Sequence, residues 1–571
     1  MRIVWGSAPI TLFDVFELVL VLLCIVLAFL RPAFLQNPFR AIEDRLAICS
    51  RHPWLCALIA FLVPVLLRLL LLPVYPPPVP AVHDEYAYLL QSDTFASGRL
   101  ANPPLQFPRE FESIYIFATP SYSSEYEPAQ GFFLAIGQKI FGSPWAGVLL
   151  SMGLFCAAAF WALSGWFPRP WAFAGALLIG LEIGVLSYWM NSYWGGCVPA
   201  LGGALTLGGL ARLRGRFHAR DCFLIALGIF VLLSSRPLEG MLLSLVAAAF
   251  ILFWFAIRTI PANVLLRLVI PMLVVFVPAA LFLCYYNQRV TGKATQVPYL
   301  LYRTRYAIPV GFYWQNPPQP ASAMPVDIEG EYRKQLAQRR RADSVRGMLL
   351  STAGKLRAFW VFYVGIVLTV VLIAVPFIWR EPNMDIVFFA LLVIVGFENL
   401  TYFAYFPHYS AAVTIAIFVV LIQGLCVMRR WGRAGLFLSR SLPLACCISL
   451  AVAMGGRLAE PLLPRSAKSI SRFWAPQYEH WVSRETFVPR LEAQPGKQLV
   501  LIHYDPTTHN NDDAWTFNEA NLENAKIVWA RESNDPEENR RLIQHFSGRT
   551  LWLAEPDARP QKIIPYPGAA K

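Results

Sequence analysis

Apolar stretches close to the length of a membrane-spanning helix recur along this chain, and they limit its possible folds more than any other feature. An α-helix needs about 20 mostly apolar residues to cross a bilayer. The composition agrees, since 56% of the 571 residues are hydrophobic and only 15% are charged, with a mean hydropathy of +0.47. The sequence therefore predicts an all-α polytopic membrane protein with about 12 transmembrane helices. The predicted spans are 12–30, 54–73, 144–166, 171–188, 196–211, 221–235, 238–257, 268–286, 359–379, 385–404, 410–428 and 441–457.

Basic residues in the short loops indicate how these helices are oriented, because cytoplasmic loops carry an excess of Lys and Arg. If loop 31–53 is cytoplasmic, the short loops on the opposite side hold little basic charge except Arg236. Three large segments then lie outside, at about 76–143, about 287–357 and from about 458 onward. We therefore divide the chain into an N-terminal helix with a cytoplasmic loop, a transmembrane domain and an extracytoplasmic domain, at 1–53, 54–457 and 458–571.

The ten cysteines agree with this orientation, since all of them lie in predicted spans or beside the cytoplasmic face. This distribution indicates neither a disulfide framework nor a cysteine metal site. The net charge of +13 is explained largely by the cytoplasmic loops, so it does not indicate a nucleic-acid partner.

The second outer segment, 287–357, is the exception, because its basic residues far outnumber its acidic ones. We interpret 331–346 as an amphipathic helix lying on anionic lipid headgroups. Lys293, Arg303 and Arg305 differ, because they closely follow a predicted span and stand among aromatic residues. They either contact the phosphate of a lipid-linked molecule or simply contribute surface charge.

The short acidic run His83-Asp84-Glu85 follows an apolar helix and a proline-rich exit. Apolar residues at helical spacing predict a helix over 83–100 that lies along the membrane interface. Asp84 and Glu85 would stand at its N-terminus, where a carboxylate can cap a helix. Capping is therefore the structural alternative to a chemical role for Asp84.

Glu125 and Glu127 add two carboxylates in segment 121–131, just before another predicted interfacial helix. One held carboxylate is enough to activate an acceptor hydroxyl or amine when the leaving group needs no protonation. A lipid phosphate is such a leaving group, and fixed positive charge can then replace the acid partner of an inverting displacement. Acidic and basic candidates on one side of the membrane therefore favour transfer chemistry on a molecule that the membrane holds.

Motifs along most of the chain carry a resemblance to a known family. They are HDEYAYLLQSDTFASGRL, SYSSEYEPAQGFFLAIGQKIFG, SYWMNSYWGG, SSRPLEG, YYNQRVTGKATQVPY and FPHYSAAV. From about 54 to 430 the chain resembles bacterial GT-C glycosyltransferases, which are integral membrane enzymes related to the protein O-mannosyltransferases and to the aminoarabinose transferases of lipid A. The resemblance implies a polyprenyl-phosphate-linked sugar donor, inversion at the anomeric carbon, and a glycan, lipid or protein acceptor. It also implies the bacterial inner membrane, with the active site and the C-terminal domain on the periplasmic side.

The resemblance further implies a catalytic acidic residue in the first outer segment. Asp84 matches that position as the base, with Glu85 as its neighbour and alternative, and His83, Glu125 and Tyr126 are candidates for substrate binding. Relatives often carry a Pro-Pro or His-Pro-Pro element where this chain has Tyr-Glu-Pro, so a positioning role there carries over only by location. Some relatives bind a divalent metal ion; His83, Asp84 and Glu125 could bind one, although no ligand spacing indicates it.

Three predicted outer turns carry further candidates. Arg236 can clamp a donor phosphate with its guanidinium or pair with Glu239. His408 is either a donor contact or an interfacial aromatic residue. Tyr193 and Trp194 either stack on a sugar or belong to the aromatic belt of the membrane interface.

The region from about 458 turns polar and predicts a small α/β domain. Its strand-like runs lie at 499–502, 527–530 and 551–553, with a helix candidate at 536–546. We interpret the polar segment 503–513 as a loop after a strand rather than a metal site.

A non-enzymatic lipid or glycan transporter is the alternative of a different class. Transporters tend to place ionisable groups near the bilayer midplane and to show internal repeats. Here the candidate groups lie at the outer face and no convincing repeat is present, so a membrane glycosyltransferase is the preferred hypothesis.

Overall fold

The computed structural model describes residues 11–257, 262–308, 311–315, 319, 324–459, 484–509 and 514–567. Helices dominate it. The helices of the first half are α1 (Leu12–Leu30), α2 (Gln36–Cys49), α3 (Pro53–Leu70), α4 (His83–Ala96), α5 (Pro108–Phe111), α6 (Pro128–Phe141), α7 (Pro144–Leu163), α8 (Arg169–Ile183), α9 (Cys197–Leu213), α10 (Ala219–Leu233), α11 (Pro237–Ile257) and α12 (Ala262–Thr291). The later ones are α13 (Pro298–Arg305), α14 (Val326–Arg341), α15 (Val345–Tyr363), α16 (Gly365–Thr369), α17 (Val375–Ile378), α18 (Met384–Glu398), α19 (Thr414–Met428), α20 (Gly432–Ala459), α21 (Val488–Glu492) and α22 (Pro536–His545).

Every predicted span coincides with a helix, and the chain is a multi-pass membrane protein. Seven helical spans among the described residues are long and apolar enough to cross a bilayer, or eight if one bent pair counts as a single span. The other four predicted spans form helices α8, α9, α10 and α18 of 15, 17, 15 and 15 residues. At 1.5 Å per residue they reach only about 22 to 26 Å, so they are short for a bilayer about 30 Å thick.

The predicted span 359–379 is not one straight helix. α15 and the helical stretch Gly365–Ile378 meet at a bend of 102°. Gly365 adopts a φ of +61° at that bend, a conformation that glycine tolerates at little cost. The predicted amphipathic helix 331–346 is also displaced, because α14 ends at Arg341 and the Ser344 hydroxyl caps α15 by accepting from the Gly347 amide.

Glycines in α9 let the central helices approach closely. A Cβ atom on Gly203 would lie 2.0 Å from the Ala412 carbonyl oxygen, and one on Gly208 would lie 2.7 Å from the Ala162 Cα atom. These glycines therefore serve close helix packing.

Arg68 shows how a charge at the end of a predicted span is satisfied. Its side chain is fully buried and donates to the Asn191 side-chain oxygen at 2.6 Å and to the carbonyls of Tyr75 and Pro76 at 2.8 and 2.9 Å. The guanidinium also lies over the Trp145 ring, 4.7 Å from its centroid. Arg68 thereby holds the exit of α3 against the turn that contains Asn191, and this positions the chain that leads into α4.

The C-terminal part is a small α/β domain, as predicted. After the short strands β1 (Ile116–Phe117) and β2 (Ser123–Ser124), the domain contains β3 (Gln498–Ile502), β4 (Ile527–Arg531), β5 (Thr550–Glu555) and β6 (Lys562–Pro565). The sheet order is β4-β3-β5-β6, with β3 parallel to β4 and β5 and with β6 antiparallel to β5. The sequence did not indicate β6, because its four residues are too few to show an alternating pattern. Of the polar segment after β3, residues 510–513 lie outside the described residues.

This domain packs on both predicted outer segments, 76–143 and 287–357. The Arg531 guanidinium donates to Asp327 Oδ1 at 2.6 Å and to the Glu112 carbonyl at 2.9 Å. The Tyr122 hydroxyl donates to the Asn518 carbonyl at 2.9 Å. The three segments predicted to lie on one side of the membrane therefore form one assembly, which we call the loop assembly.

We expect Arg531→Met to lower the thermal unfolding temperature of the detergent-solubilised protein. It leaves the Asp327 carboxylate buried without its ion pair, at a cost of about 3–5 kcal/mol. The matched control is Arg540→Met, since Arg540 forms an exposed pair with Glu537 and such pairs contribute little. Equal unfolding temperatures for the two variants would contradict the importance of the buried pair.

Candidate active site

α4 places Asp84 in its first turn, beside segment 121–131. The Asp84 Oδ1 atom accepts a hydrogen bond of 2.5 Å from the Tyr126 hydroxyl, and Asp84 remains partly exposed. Burial raises the pKa of Asp84, the Tyr126 hydrogen bond opposes this rise, and the negative charge of Glu331 adds to it. A carboxylate that is held in place, reachable and more basic than usual has the properties of a general base.

Glu85 makes the helix cap that the sequence allowed for Asp84. Its Oε2 atom accepts from the Ala81 and Val82 amides at 2.8 and 3.3 Å, and its Oε1 atom accepts from the Tyr193 amide at 3.0 Å. Only 1% of the residue is exposed, and burial raises its pKa to about 7. Both carboxylate oxygens are therefore occupied by backbone groups, which gives Glu85 a clear structural role and favours Asp84 as the base.

Aromatic rings form a wall around the Asp84 carboxylate. Tyr126 stacks on Tyr88, with ring centroids 4.5 Å apart and an angle of 16° between the rings. Tyr115 lies on the other side of Tyr126, at 5.6 Å between centroids. Tyr88 stands four residues after Asp84, so both lie on one face of α4. Sequence reasoning missed Tyr88 and Tyr115, although the four-residue spacing could have identified Tyr88.

Glu125 and Arg303 meet inside this wall. Arg303 Nη2 lies 3.6 Å from Glu125 Oε1, and the Glu125 side chain is fully buried. Burial raises the pKa of Glu125 to about 8, although Arg303 opposes the rise. The Arg303 guanidinium lies over the Tyr299 ring, 4.7 Å from its centroid, so a positive charge stands among the acidic residues of the site.

Arg236 brings a second positive charge to the same group of residues. It pairs with Glu239 at 2.6 Å, and its guanidinium lies over the Tyr409 ring at 4.5 Å. The pKa of Tyr88 is raised by burial, lowered by Arg236 and raised by Asp84, so both charges lie near one ring of α4. Both alternatives from the sequence remain compatible with this geometry, because the pair with Glu239 leaves further N–H donors of Arg236 for a phosphate.

His408 belongs to a buried aromatic group next to Arg236. Its Nδ1 atom is 2.8 Å from the Tyr188 hydroxyl, which also accepts from the His408 amide at 3.0 Å. The ring packs edge-on against Trp194 at 4.9 Å between centroids. The buried indole N–H of Trp194 has no hydrogen-bond partner among the described residues, so it is a donor that a bound sugar could use.

The remaining candidates lie in other surroundings. The Tyr193 hydroxyl donates to the Pro78 carbonyl at 3.0 Å, so this group serves the local fold. Arg305 turns toward the first loop segment and donates to the Thr119 carbonyl at 2.5 Å. Lys293 is exposed in the turn after α12, and His83 is partly buried as the first residue of α4.

Glu331 is a site residue that the sequence interpretation placed elsewhere. It was assigned to a helix lying on lipid headgroups, but α14 buries the face that carries Asp327, Ile328, Glu331 and Gln335. Its charge reaches both Asp84 and Glu125 and raises the pKa of each. Only the docking of α14 into the loop assembly reveals this position, because the local sequence reads as a solvated, strongly charged helix.

The described residues contain no group of three or more His, Cys, Asp or Glu side chains placed to hold a metal ion. His83, Asp84 and Glu125 are accordingly not arranged as a ligand set. The cation beside Glu125 is the Arg303 guanidinium.

Comparisons with known proteins returned solved structures only. No protein-family model and no curated protein matches the sequence. The structure is similar to ArnT from Cupriavidus metallidurans bound to undecaprenyl phosphate, with a TM-score of 0.46 and 14% identity over 87% of this chain and 92% of that chain. It is also similar to the Archaeoglobus fulgidus oligosaccharyltransferase in the apo form, with a TM-score of 0.43 and 13% identity over 88% of this chain and 69% of that chain. Both TM-scores lie below 0.5, so the activity is inferred from the chain's own residues.

We expect Glu85→Ala to destabilise the protein, because it leaves the buried Tyr193 amide and the half-buried Ala81 and Val82 amides without their acceptor. Unsatisfied buried donors cost about 1–3 kcal/mol each, so the thermal unfolding temperature should fall clearly. Asp84→Asn is the matched control, since its amide oxygen can still accept from Tyr126. A Glu85→Ala protein as stable as Asp84→Asn would contradict the structural role of Glu85.

Proposed function

We propose that this protein is a GT-C-type membrane glycosyltransferase that moves a sugar from a polyprenyl-phosphate donor to an extracytoplasmic acceptor by inverting displacement. The observation that carries the proposal is the position of Asp84, which is partly exposed and held by Tyr126 at 2.5 Å. It shares the neighbours Tyr88 and Glu125 with the half-buried Arg236 and Arg303, respectively. A base and phosphate-binding charges in one site at the ends of apolar helices suit a membrane-held donor.

Asp84 acts as the base on the acceptor. It takes the proton from the acceptor hydroxyl or amine while the new bond forms at the anomeric carbon and the bond from that carbon to the phosphate oxygen breaks. The polyprenyl phosphate leaves as an anion and needs no proton. The aromatic wall lowers the local polarity and so strengthens the charge interactions in the site.

Arg236 and Arg303 bind the donor phosphate. Both act on the Tyr299 hydroxyl and lower its pKa, against the rise caused by burial, so both guanidiniums lie close to one side chain. Guanidinium groups bind phosphate oxygens with paired hydrogen bonds, and these bonds strengthen as charge develops on the leaving group. Lys293 and Arg305 are secondary candidates, because their side chains lie in more exposed positions.

The proposed location is the bacterial inner membrane, with the loop assembly on the periplasmic side. Basic residues in the short loops support this orientation. The acceptor is a glycan, a lipid or a protein, and the C-terminal domain packs on the segments that carry the site residues. A transporter is less well supported, because the acidic and basic groups gather at helix ends rather than at the bilayer midplane.

Replacing the proposed base tests the reaction. We expect Asp84→Asn to lower the rate of transfer from a radiolabelled polyprenyl-phosphate sugar to a membrane-extract acceptor by at least about 100-fold, the usual order for loss of a general base. Asp93→Asn is the matched control on the same helix, since Asp93 accepts a hydrogen bond from the Ala520 amide. Transfer at the wild-type rate by Asp84→Asn would rule out Asp84 as the base.

Replacing the phosphate ligands tests the donor site. We expect Arg303→Met to weaken binding of a polyprenyl phosphate by about 10-fold or more, as expected for a lost charged hydrogen bond. Arg333→Met is the control, because Arg333 forms an exposed pair with Glu329 on α14, and this variant should bind nearly normally. The measurement is a binding titration in detergent, and equal affinities for the two variants would remove Arg303 from the donor site.

A further inference from the structure

Glu125 and Arg303 are buried neighbours that do not form a hydrogen bond. The shortest distance between their side chains is 3.6 Å, which is too long for a hydrogen bond between N–H and oxygen. Both carboxylate oxygens of Glu125 and the Nε atom of Arg303 are buried without a hydrogen-bond partner in the part of the chain that the structure describes. Such unsatisfied groups are costly in a protein interior, so this contact is suited to a change of partner.

The rings around Arg303 keep its charge in the site while leaving its N–H groups free. The guanidinium carbon lies 4.7 Å from the Tyr299 ring centroid and 5.9 Å from that of Tyr115. Cation–π contacts of this kind hold the charge without using its hydrogen-bond donors. Arg303 can therefore direct its N–H groups toward Glu125 or toward a phosphate without leaving the two rings.

Glu125 has more negative than positive neighbours. The charged groups that act on it are Arg303 from α13, Asp84 from α4 and Glu331 from α14. The tyrosines whose pKa values respond to its charge are Tyr88, Tyr115, Tyr126, Tyr299 and Tyr302. If Arg303 moves its charge toward another anion, Glu125 faces two carboxylates without compensation, and binding a proton becomes favourable.

We propose that Glu125, where it is ionised, holds Arg303 in the donor-free site and that donor binding transfers this guanidinium to the donor phosphate, with uptake of one proton by that carboxylate. This proposal rests on the proposed function, because it needs a phosphate at Arg303. The proton comes from solvent and neutralises the carboxylate, and no covalent bond to carbon or phosphorus changes in this step. Glu125 is thus a positioning residue for Arg303, while Asp84 stays the base.

Donor binding and the protonation of Glu125 should be linked, so donor affinity should depend on pH in a definite direction. The pKa of Glu125 in the donor-free protein is about 8, and loss of the Arg303 charge raises it further. Below that pKa the Glu125 carboxyl is already protonated, so donor binding takes up few protons. The number of protons taken up per donor bound should therefore grow as the pH rises past about 8. Donor affinity should fall over the same range, because each binding event then requires a proton from an increasingly proton-poor solution.

Isothermal titration calorimetry of the full-length protein in detergent tests this directly. The probe is a polyprenyl methyl phosphodiester, because a phosphate monoester titrates near pH 6 itself whereas a diester does not. Titrations in buffers of different ionisation enthalpy, at pH 7 to 9.5, count the protons taken up per probe bound. We expect a count that rises with pH toward one in the wild type and is close to zero in Glu125→Gln.

Glu127→Gln is the matched control. Glu127 is also buried, burial alone raises its pKa to about 8, and its Oε1 atom also has no hydrogen-bond partner among the described residues, but its pKa shift shows no contribution from Arg303. Its replacement should leave the proton count unchanged. If Glu125→Gln does not fold, the number of protons that the wild type takes up per probe bound still tests whether donor binding is coupled to proton uptake.

Two results would overturn the inference and leave the proposed function intact: measurable binding without proton uptake in the wild type, or uptake that persists in Glu125→Gln. Failure of the probe to bind at any pH would instead overturn the donor site itself, and the proton linkage with it.

Discussion

The Glu85 carboxylate holds together the parts of the chain on which the site depends. It accepts from the Ala81 and Val82 amides at the start of α4 and from the Tyr193 amide in a turn more than a hundred residues later. These three bonds set where α4 begins and how it is rotated. Because Asp84 precedes Glu85 directly, the same bonds aim Asp84 toward Tyr126 rather than toward the helix end.

Charge balance is the second constraint on the site. Asp84, Glu125 and Glu331 act on one another at close range, and Arg303 supplies positive charge among them. Burial makes every uncompensated charge expensive, so the protonation of Glu125 depends on where the Arg303 guanidinium points. The C-terminal domain contributes indirectly, because Arg531 binds Asp327 on α14, the helix that also carries Glu331.

Several features were predictable from short stretches of sequence. Apolar length located the spans, and short apolar runs located β3, β4 and β5. The interpretation of residues 331–346 as a headgroup helix was wrong, because local charge suggested a solvated helix whereas one face of α14 is buried. The bend at Gly365 was also missed, since an apolar run does not reveal a change of direction inside it.

It follows from consecutive residues alone that this chain enters a membrane and that carboxylates and basic residues lie in segments between its helices. Apolar transfer energy and helix length act locally, so they can be read from consecutive residues. The packing of helices and loops makes Glu85 a cap, brings Asp84 to Tyr126, and puts Arg303 rather than Arg305 beside Glu125. These pairings join residues that are distant in sequence, and their distances depend on how helices and loops pack, which no local pattern specifies.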